Sequence, residues 1–272
     1  MKPVIIGAGR GRRLKHLTDE IPKTLVPIVG RPMLESILEA LEAGGFSRDE
    51  VVFICGYKAD VIQDRYPALT YVENRDWPNN NILLSLLCAR PHLEQGFVST
   101  YADIVYRPEA IAKVTASPHD ITLVCDTDWR RRYVDRSEHP ETDAEKMRLD
   151  DDGRVVELSR TIGSEEATGE FIGVMRLTAN GANQFLEAFD RARAAHADDD
   201  SFHEGRTFAK AYLIDLLAKM IADGTAVHAR PVEAAGRKLR RPEIAVDGKD
   251  RFVAHSKSLS IATSGLSAGG IG

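Results

Sequence analysis

The 272-residue chain has only three cysteines, Cys55, Cys88 and Cys125, odd in number and far apart. That excludes a disulfide framework and a paired-cysteine metal motif, and it fits three structural thiols in a reducing cytoplasm. No apolar run approaches the ~20 residues that a membrane span needs. The opening Met1-Lys2-Pro3-Val4-Ile5-Ile6-Gly7 is too short, and too soon rich in glycine and arginine, for a secretory signal. Excess positive charge is missing as well: 36 basic against 41 acidic residues leave −5. The chain as a whole is therefore not built to coat nucleic acid or an anionic membrane. Apolar residues at 43% and charged residues at 28% give a globular rather than a disordered balance. The length allows one large domain or two small ones.

What charge there is falls unevenly. Residues 1–31 hold seven bases (Lys2, Arg10, Arg12, Arg13, Lys15, Lys23, Arg31) and two acids (Asp19, Glu20), a local +5 on a remainder of −10. Such a segment is either a localised anion site or a solvated stretch, and its position relative to the first strand decides.

Lys2 to Ile6 is short, apolar and β-branched, which predicts a buried strand, and Gly7-Ala8-Gly9-Arg10-Gly11 breaks it. Met33 to Ala43 carries Leu34, Ile37, Leu38 and Leu41 at helical spacing, and Gly44-Gly45 ends it. Further strands are predicted at Val51–Cys55, at Leu69–Val72, from the run Gly96 to Ser99 to an end near Tyr101-Ala102-Asp103, and at Ile121–Cys125. Helices are predicted at Ala59–Arg65, Ile82–Cys88 and Pro108–Val114. Strands alternating with helices argue a mostly parallel sheet with helices on both faces. After Asp126 the pattern changes. Strands at Lys146–Leu149, Val155–Leu158, Phe171–Leu177 and Val227–Val232 accompany helices at Gly181–Ala195 and Phe208–Asp223. Exposed apolar positions on these late helices would allow a homodimer. A Ser/Gly-rich flexible tail is expected over 256–272.

A glycine loop directly after the first strand lets backbone N–H groups approach phosphate oxygens. Arg12, Arg13 and Lys23 add charge suited to a triphosphate. A nicotinamide-dinucleotide fold competes, but its fingerprint passes straight into a helix. Here Thr18 to Gly30 holds Pro22 and Pro27, which argues an irregular basic loop.

Gly-Ala-Gly-Arg-Gly-x-Arg-Leu, then Pro-Lys-Thr-Leu-Val-Pro-Ile, then Gly-Arg-Pro-Met-Leu-Glu, all between Val4 and Glu35, resembles the signature of nucleotidyltransferases that act on phosphorylated small molecules. The resemblance implies a Rossmann-like three-layer α/β/α fold in a single domain, residues 1–255. Its nucleotide-binding half is about 1–125 and its acceptor-binding half about 126–255. It also implies catalytic roles for Arg13 and Lys23, with Gly7, Ala8, Gly9, Arg10, Gly11 and Arg12 around the nucleotide. Arg12 reads equally as a phosphate ligand or a surface charge.

Asn79-Asn80-Asn81 with Ser85-Leu86 resembles the Asn-rich segment of phosphocholine and phosphonate cytidylyltransferases. Amide donors and acceptors suit a pyrimidine edge, and Asn is also a good helix N-cap. Asn79, Asn81 and Ser85 are the expected base contacts. Asp103, where a strand runs out, suits Mg²⁺, which takes one or two carboxylates plus phosphate oxygens; a turn Asp is the alternative. Asp126-Thr127-Asp128-Trp129, Tyr133, Glu145-Lys146 and Thr168-Gly169-Glu170 resemble the acceptor-side segment of the same branch. Expected acceptor contacts are Asp126, Trp129, Tyr133, Arg160 and Glu170, with the two aromatics stacking on a cationic headgroup or packing in the core. The family's second metal-binding Asp falls on Ala245 in Glu243-Ile244-Ala245-Val246-Asp247, so Asp247 is the substitute.

The expected reaction is transfer of a cytidylyl group from CTP to a small phosphate or phosphonate monoester, of phosphocholine or 2-aminoethylphosphonate type. The alternatives are a sugar-1-phosphate uridylyl- or thymidylyltransferase and a catalytically impaired nucleotide-binding protein.

Overall fold

The computed structural model describes residues 1–28, 30–134, 140–232, 236–238, 244–247 and 251–254, with side chains described through 232. The expected boundary at 255 and the tail beyond it lie outside these residues.

β1 (Lys2–Ile6) is buried from Pro3 onward, which is why it reads as one apolar run. The basic loop after it holds 3₁₀ turns at Arg12–Thr18 and Lys23–Leu25 and a small ribbon of β2 (Pro27–Ile28) and β3 (Arg31–Pro32). α1 (Met33–Ala43) buries Leu34, Ile37, Leu38 and Leu41, the side chains at helical spacing. Each such burial contributes about 1.5–3 kcal/mol. Then come β4 (Val52–Cys55), α2 (Ala59–Arg65), β5 (Thr70–Glu73), α3 (Ile82–Cys88), β6 (Phe97–Tyr101), β7 (Ile104–Tyr106), α4 (Glu109–Thr115) and β8 (Ile121–Asp126). The second half adds β9 (Lys146–Leu149), β10 (Val155–Ser159), β11 (Gly169–Leu177), α5 (Ala179–Ala195), β12 (Ser201–His203), β13 (Arg206–Thr207), α6 (Leu213–Ala222) and β14 (His228–Val232). β15 (Gly236–Lys238), β16 (Ile244–Asp247) and β17 (Arg251–Ala254) are described by backbone alone.

Seven strands lie in the order β5-β4-β1-β6-β11-β8-β14. β1, β4, β5 and β6 are mutually parallel, as are β8 and β14; β11 runs antiparallel to both β6 and β8. β9 and β10 grow from the start of β11, where Gly169 and Glu170 pair with Met147 and Lys146. The sheet is thus mostly parallel, as the alternating pattern required.

One helix is shorter than its sequence pattern. Phe208–Lys210 is a 3₁₀ turn and Ala211 is extended, so α6 starts only at Leu213. Asp215 fixes that start, accepting the Tyr212 backbone N–H at 2.7 Å.

The topology places a crevice. The chain runs from β1 outward to β4 and β5, then returns to the other side of β1 as β6. Loops leaving neighbouring strands at such a reversal part from each other and open a cleft beyond the carboxyl ends. Ile6 pairs with Tyr101, so the glycine loop and Ala102-Asp103 leave the sheet side by side.

Candidate functional site

The loop's glycines differ in what they permit. A Cβ on Gly7 would lie 2.5 Å from Phe53 Cζ and 2.9 Å from Ala102 Cβ, so close packing requires glycine there. Gly11 has φ +70°, and a Cβ on it would lie 2.8 Å from Lys23 Cδ. Its missing side chain is what lets Lys23 cross the loop.

Beyond the strand ends lies a cavity of about 440 Å³. Gly7, Ala8, Gly9, Gly11, Arg12, Arg13 and Lys23 line one part. There the Lys23 ammonium lies 2.6 Å from the Asp103 carboxylate. The structure therefore brings Arg13, Lys23 and Asp103, from two separate loops, to one cavity. Thr24 Oγ1, on the same wall, is buried with no hydrogen-bond partner. Arg10 corrects the sequence reading. It lies outside the lining, paired with Asp19 at 2.6 Å and stacked on Tyr57 at 5.4 Å. A nearer carboxylate has captured it, and it braces the loop.

The Asn trio is split. Asn80, Asn81 and Ser85 line the cavity, whereas Asn79 is exposed and donates to Asp76 at 2.7 Å, outside it. Asn81 also caps α3, its Oδ1 accepting from the Ile82 N–H at 2.9 Å. Sequence reasoning missed Asn74, which is buried and organises this wall. Its amide donates to Ser85 Oγ at 2.8 Å and to Asn80 Oδ1 at 2.9 Å, and its carbonyl accepts from the Asn80 amide at 3.0 Å. The available signal was its place directly after β5. Trp77, also missed, lines the same part and meets Tyr57 edge-on at 5.5 Å.

The acceptor-side expectations are rearranged more. Asp126 is fully buried, held by Arg132 Nε and accepting the Asp128 N–H at 3.0 Å. Trp129 is 2% exposed and meets Tyr133 edge-on at 5.8 Å. The Tyr133 hydroxyl donates to buried Glu170 at 2.8 Å. None of these four lines the cavity. Asp126, Trp129 and Glu170 are buried and Tyr133 is half-buried against Trp129 and Glu170, which is the packing alternative for the two aromatics. In their place stand Asp143, Glu145, Arg160, Tyr101 and Tyr212. Arg160 pairs with Asp143 at 2.6 Å and lies over the Tyr212 ring at 5.7 Å. Tyr101 donates to Glu145 at 3.3 Å. Of the expected acceptor contacts, Arg160 alone lines the cavity.

Asp247 is placed by backbone alone, in β16 opposite Arg251, and its side chain lies outside what is described. Elsewhere, His203, Glu204 and Asp215 gather in the manner of metal ligands. Their cation is already present: Arg206 donates to Asp215 and to Glu204 at 2.9 Å each. No helix among the described residues is long and apolar enough to cross a membrane.

Comparison with known proteins agrees with this geometry. Residues 3–200 match the family described as the MobA-like NTP transferase domain. The chain is 23% identical over 231 residues to a CTP:phosphoglutamine cytidylyltransferase of Campylobacter jejuni, covering 81% of this chain and 88% of that one. It is 32% identical over 162 residues to a 2-aminoethylphosphonate cytidylyltransferase of Lancefieldella rimae, covering 58% of this chain and 60% of that one. Among solved structures, an inositol-1-phosphate CTP transferase from T. maritima superposes with a TM-score of 0.66 at 18% identity, covering 89% of both chains. The phosphocholine cytidylyltransferase of Streptococcus pneumoniae superposes with a TM-score of 0.62 at 21% identity, covering 88% of this chain and 92% of that one. These likenesses show the Rossmann-like nucleotidyltransferase fold, and the match over residues 3–200 shows that the chain belongs to the MobA-like NTP transferase family.

Proposed function

We propose that the chain transfers a cytidylyl group from CTP to a small phosphate or phosphonate monoester that also carries an ammonium group. The observation that carries this reading is a single cavity with two differently charged parts. Arg12, Arg13 and Lys23 stand on the glycine loop, and Asp143, Glu145 and Arg160 stand on the wall built by the second half. The relatives named above, which use CTP, support the choice of nucleotide.

In this reading the acceptor oxygen is already anionic, so no strong general base is needed. That oxygen forms a bond to the α-phosphorus, the bond from the α-phosphorus to the bridging oxygen breaks, and pyrophosphate leaves with the electron pair. Arg13 and Lys23 neutralise charge on the phosphates, and rate comes from positioning and electrostatics. Asn80, Asn81 and Ser85 face the base edge, with Asn74 holding two of them in place. Arg160 grips the acceptor's phosphonate with its planar fork, and Asp143 and Glu145 attract its ammonium. Asp103 offers a hard carboxylate oxygen beside the basic loop, a donor of the type magnesium takes. It would hold that ion, which supplies charge neutralisation on the phosphates when bound.

The test is a panel of CTP, UTP, dTTP, ATP and GTP against 2-aminoethylphosphonate, phosphocholine and glucose-1-phosphate, read by pyrophosphate release. CTP-dependent release with an amino-bearing acceptor is expected. Release only with UTP or dTTP and the sugar phosphate overturns the reading. CTP binding by calorimetry with no product from any acceptor overturns it in favour of a nucleotide-binding protein.

A further inference from the structure

Beside the main cavity lies a second hollow of about 480 Å³, lined by Thr142, Lys146, Arg160, Thr161, Glu204 and Arg206 among others. Arg160 belongs to both walls, so the hollow borders the acceptor part of the site. Glu145 and Lys146 follow one another where β9 begins, and one lines the cavity while the other lines the hollow. Successive residues of an extended chain point to opposite sides, and that alternation divides the two spaces.

Two donors in this hollow stand without acceptors. Lys146 is 3% exposed, and its ammonium pairs with no carboxylate among the described residues. The nearby carboxylates are engaged elsewhere: Glu204 accepts from Ser159 and from Arg206, and Glu170 accepts from Tyr133. Glu141, half-buried in the 3₁₀ turn before β9, acts on Lys146 only through its charge. The second donor is Arg160 Nε, buried with no hydrogen-bond partner. Burial without a close partner also pushes the Lys146 ammonium below its ordinary pKa range. A buried cation left unpaired is costly, and an arriving anion removes the cost.

From these two orphan donors we infer that the hollow receives a carboxylate of the acceptor, and that the acceptor class is an amino acid bearing a phosphate or phosphonate. The inference rests on the reading above and narrows it. Arg160 lines both spaces, its Nη2 beside Asp143 and its Nε buried without a hydrogen-bond partner. Lys146 supplies one positive charge that no carboxylate among the described residues contacts, with Glu141, Glu204 and Glu170 acting on it only at a distance, and a single charge matches a monoanion better than a second phosphate. The nucleotide's phosphates are already provided for by Arg12, Arg13 and Lys23, and the acceptor's by Arg160 in the reading above. Lys146 is in this sense a specificity residue.

Matched acceptors that differ by one carboxylate test this. 2-Amino-3-phosphonopropionate is 2-aminoethylphosphonate with a carboxylate added, and phosphoserine stands in the same relation to phosphoethanolamine. Calorimetry reads binding without turnover. Wild type is expected to bind the carboxylated member of each pair at least tenfold more tightly. Lys146→Met should collapse that ratio to near one, and Lys146→Arg should restore part of it. Equal binding of both members by wild type overturns the inference. So does a Lys146→Met variant in which both members weaken by the same factor, the mark of a structural role. Carboxylate-dependent binding with no pyrophosphate released from any nucleotide would overturn the cytidylyltransferase reading and leave the subsite standing.

Discussion

Lys23 and Asp103, eighty residues apart in sequence, meet at 2.6 Å where the glycine loop faces the end of β6. Their side chains are 14% and 30% exposed. A partly solvated ion pair of this kind contributes about 0–1 kcal/mol to folding, so stability does not explain its position in the cavity. Lys23→Ala should therefore lower turnover by ~10²–10³, the cost of losing one charged transition-state donor. The melting temperature should move by only a few degrees. Steady-state pyrophosphate release and a thermal melt check both halves. Turnover close to wild type would remove Lys23 from the catalytic machinery.

Gly11 is the loop glycine whose backbone conformation itself resists a side chain. Its φ of +70° costs an L-residue about 1–2 kcal/mol, and the new Cβ would press on the Lys23 side chain. Gly11→Ala should destabilise the fold by roughly that amount and raise the KM for nucleotide. Gly9→Ala is the control, because a Cβ there meets no atom within 4 Å. It should leave the melting temperature within about a degree of wild type. Urea midpoints for the two variants, measured side by side, decide the matter.

Sequence pattern revealed the parallel frame but not which polar side chains reach the cavity. β1, α1, β4 and α3 were legible because burial imposes a period on apolar residues, and Leu34, Ile37, Leu38 and Leu41 display it. α6 was misjudged at its start because Phe208 and Ala209 continue an apolar pattern while Ala211 is extended. The glycine loop was legible because its basic residues follow a strand. Arg10 was not, since which carboxylate captures a given arginine is a tertiary matter, and Asp19 lies within reach. Asp126 and Trp129 carried the right chemistry for an acceptor site. Arg132 and the core claimed them, and Asp143 and Glu145 took the cavity wall. Asn74 left only its place after β5 as a signal, because what makes it matter is contact with residues six and eleven positions on.

Asn74 supports the prediction most specific to the nucleotide wall. It is buried, and both ends of its amide are used by Asn80 and Ser85. Asn74→Ala removes the partners of both groups, and leaving buried polar groups unpaired costs about 1–3 kcal/mol each. The fold should lose stability on that scale. The discrimination between CTP and UTP should fall as well, because Asn80 and Ser85 lose their fixed orientation. The ratio of kcat/KM for the two nucleotides measures the second effect separately from the first. A destabilised variant that keeps full selectivity would show that Asn74 serves packing alone.

His203 gives the fold a pH dependence of definite sign. Its Nδ1 lies 3.2 Å from Asp215, and a hydrogen bond to that buried carboxylate holds its pKa above the ordinary value of about 6.5. Burial and the Arg206 guanidinium oppose the rise but do not cancel it. A group whose pKa is raised on folding stabilises the folded state fully below the unfolded value. It loses that contribution as pH climbs through the folded value. The melting temperature should thus fall as pH is raised from about 6 through the folded pKa of His203, then level off. Asp215 also caps α6 and binds Arg206, so the fold keeps those contacts throughout. His203→Gln should flatten this part of the profile. A wild-type profile that rises over the same interval would show that His203 folds in its neutral form.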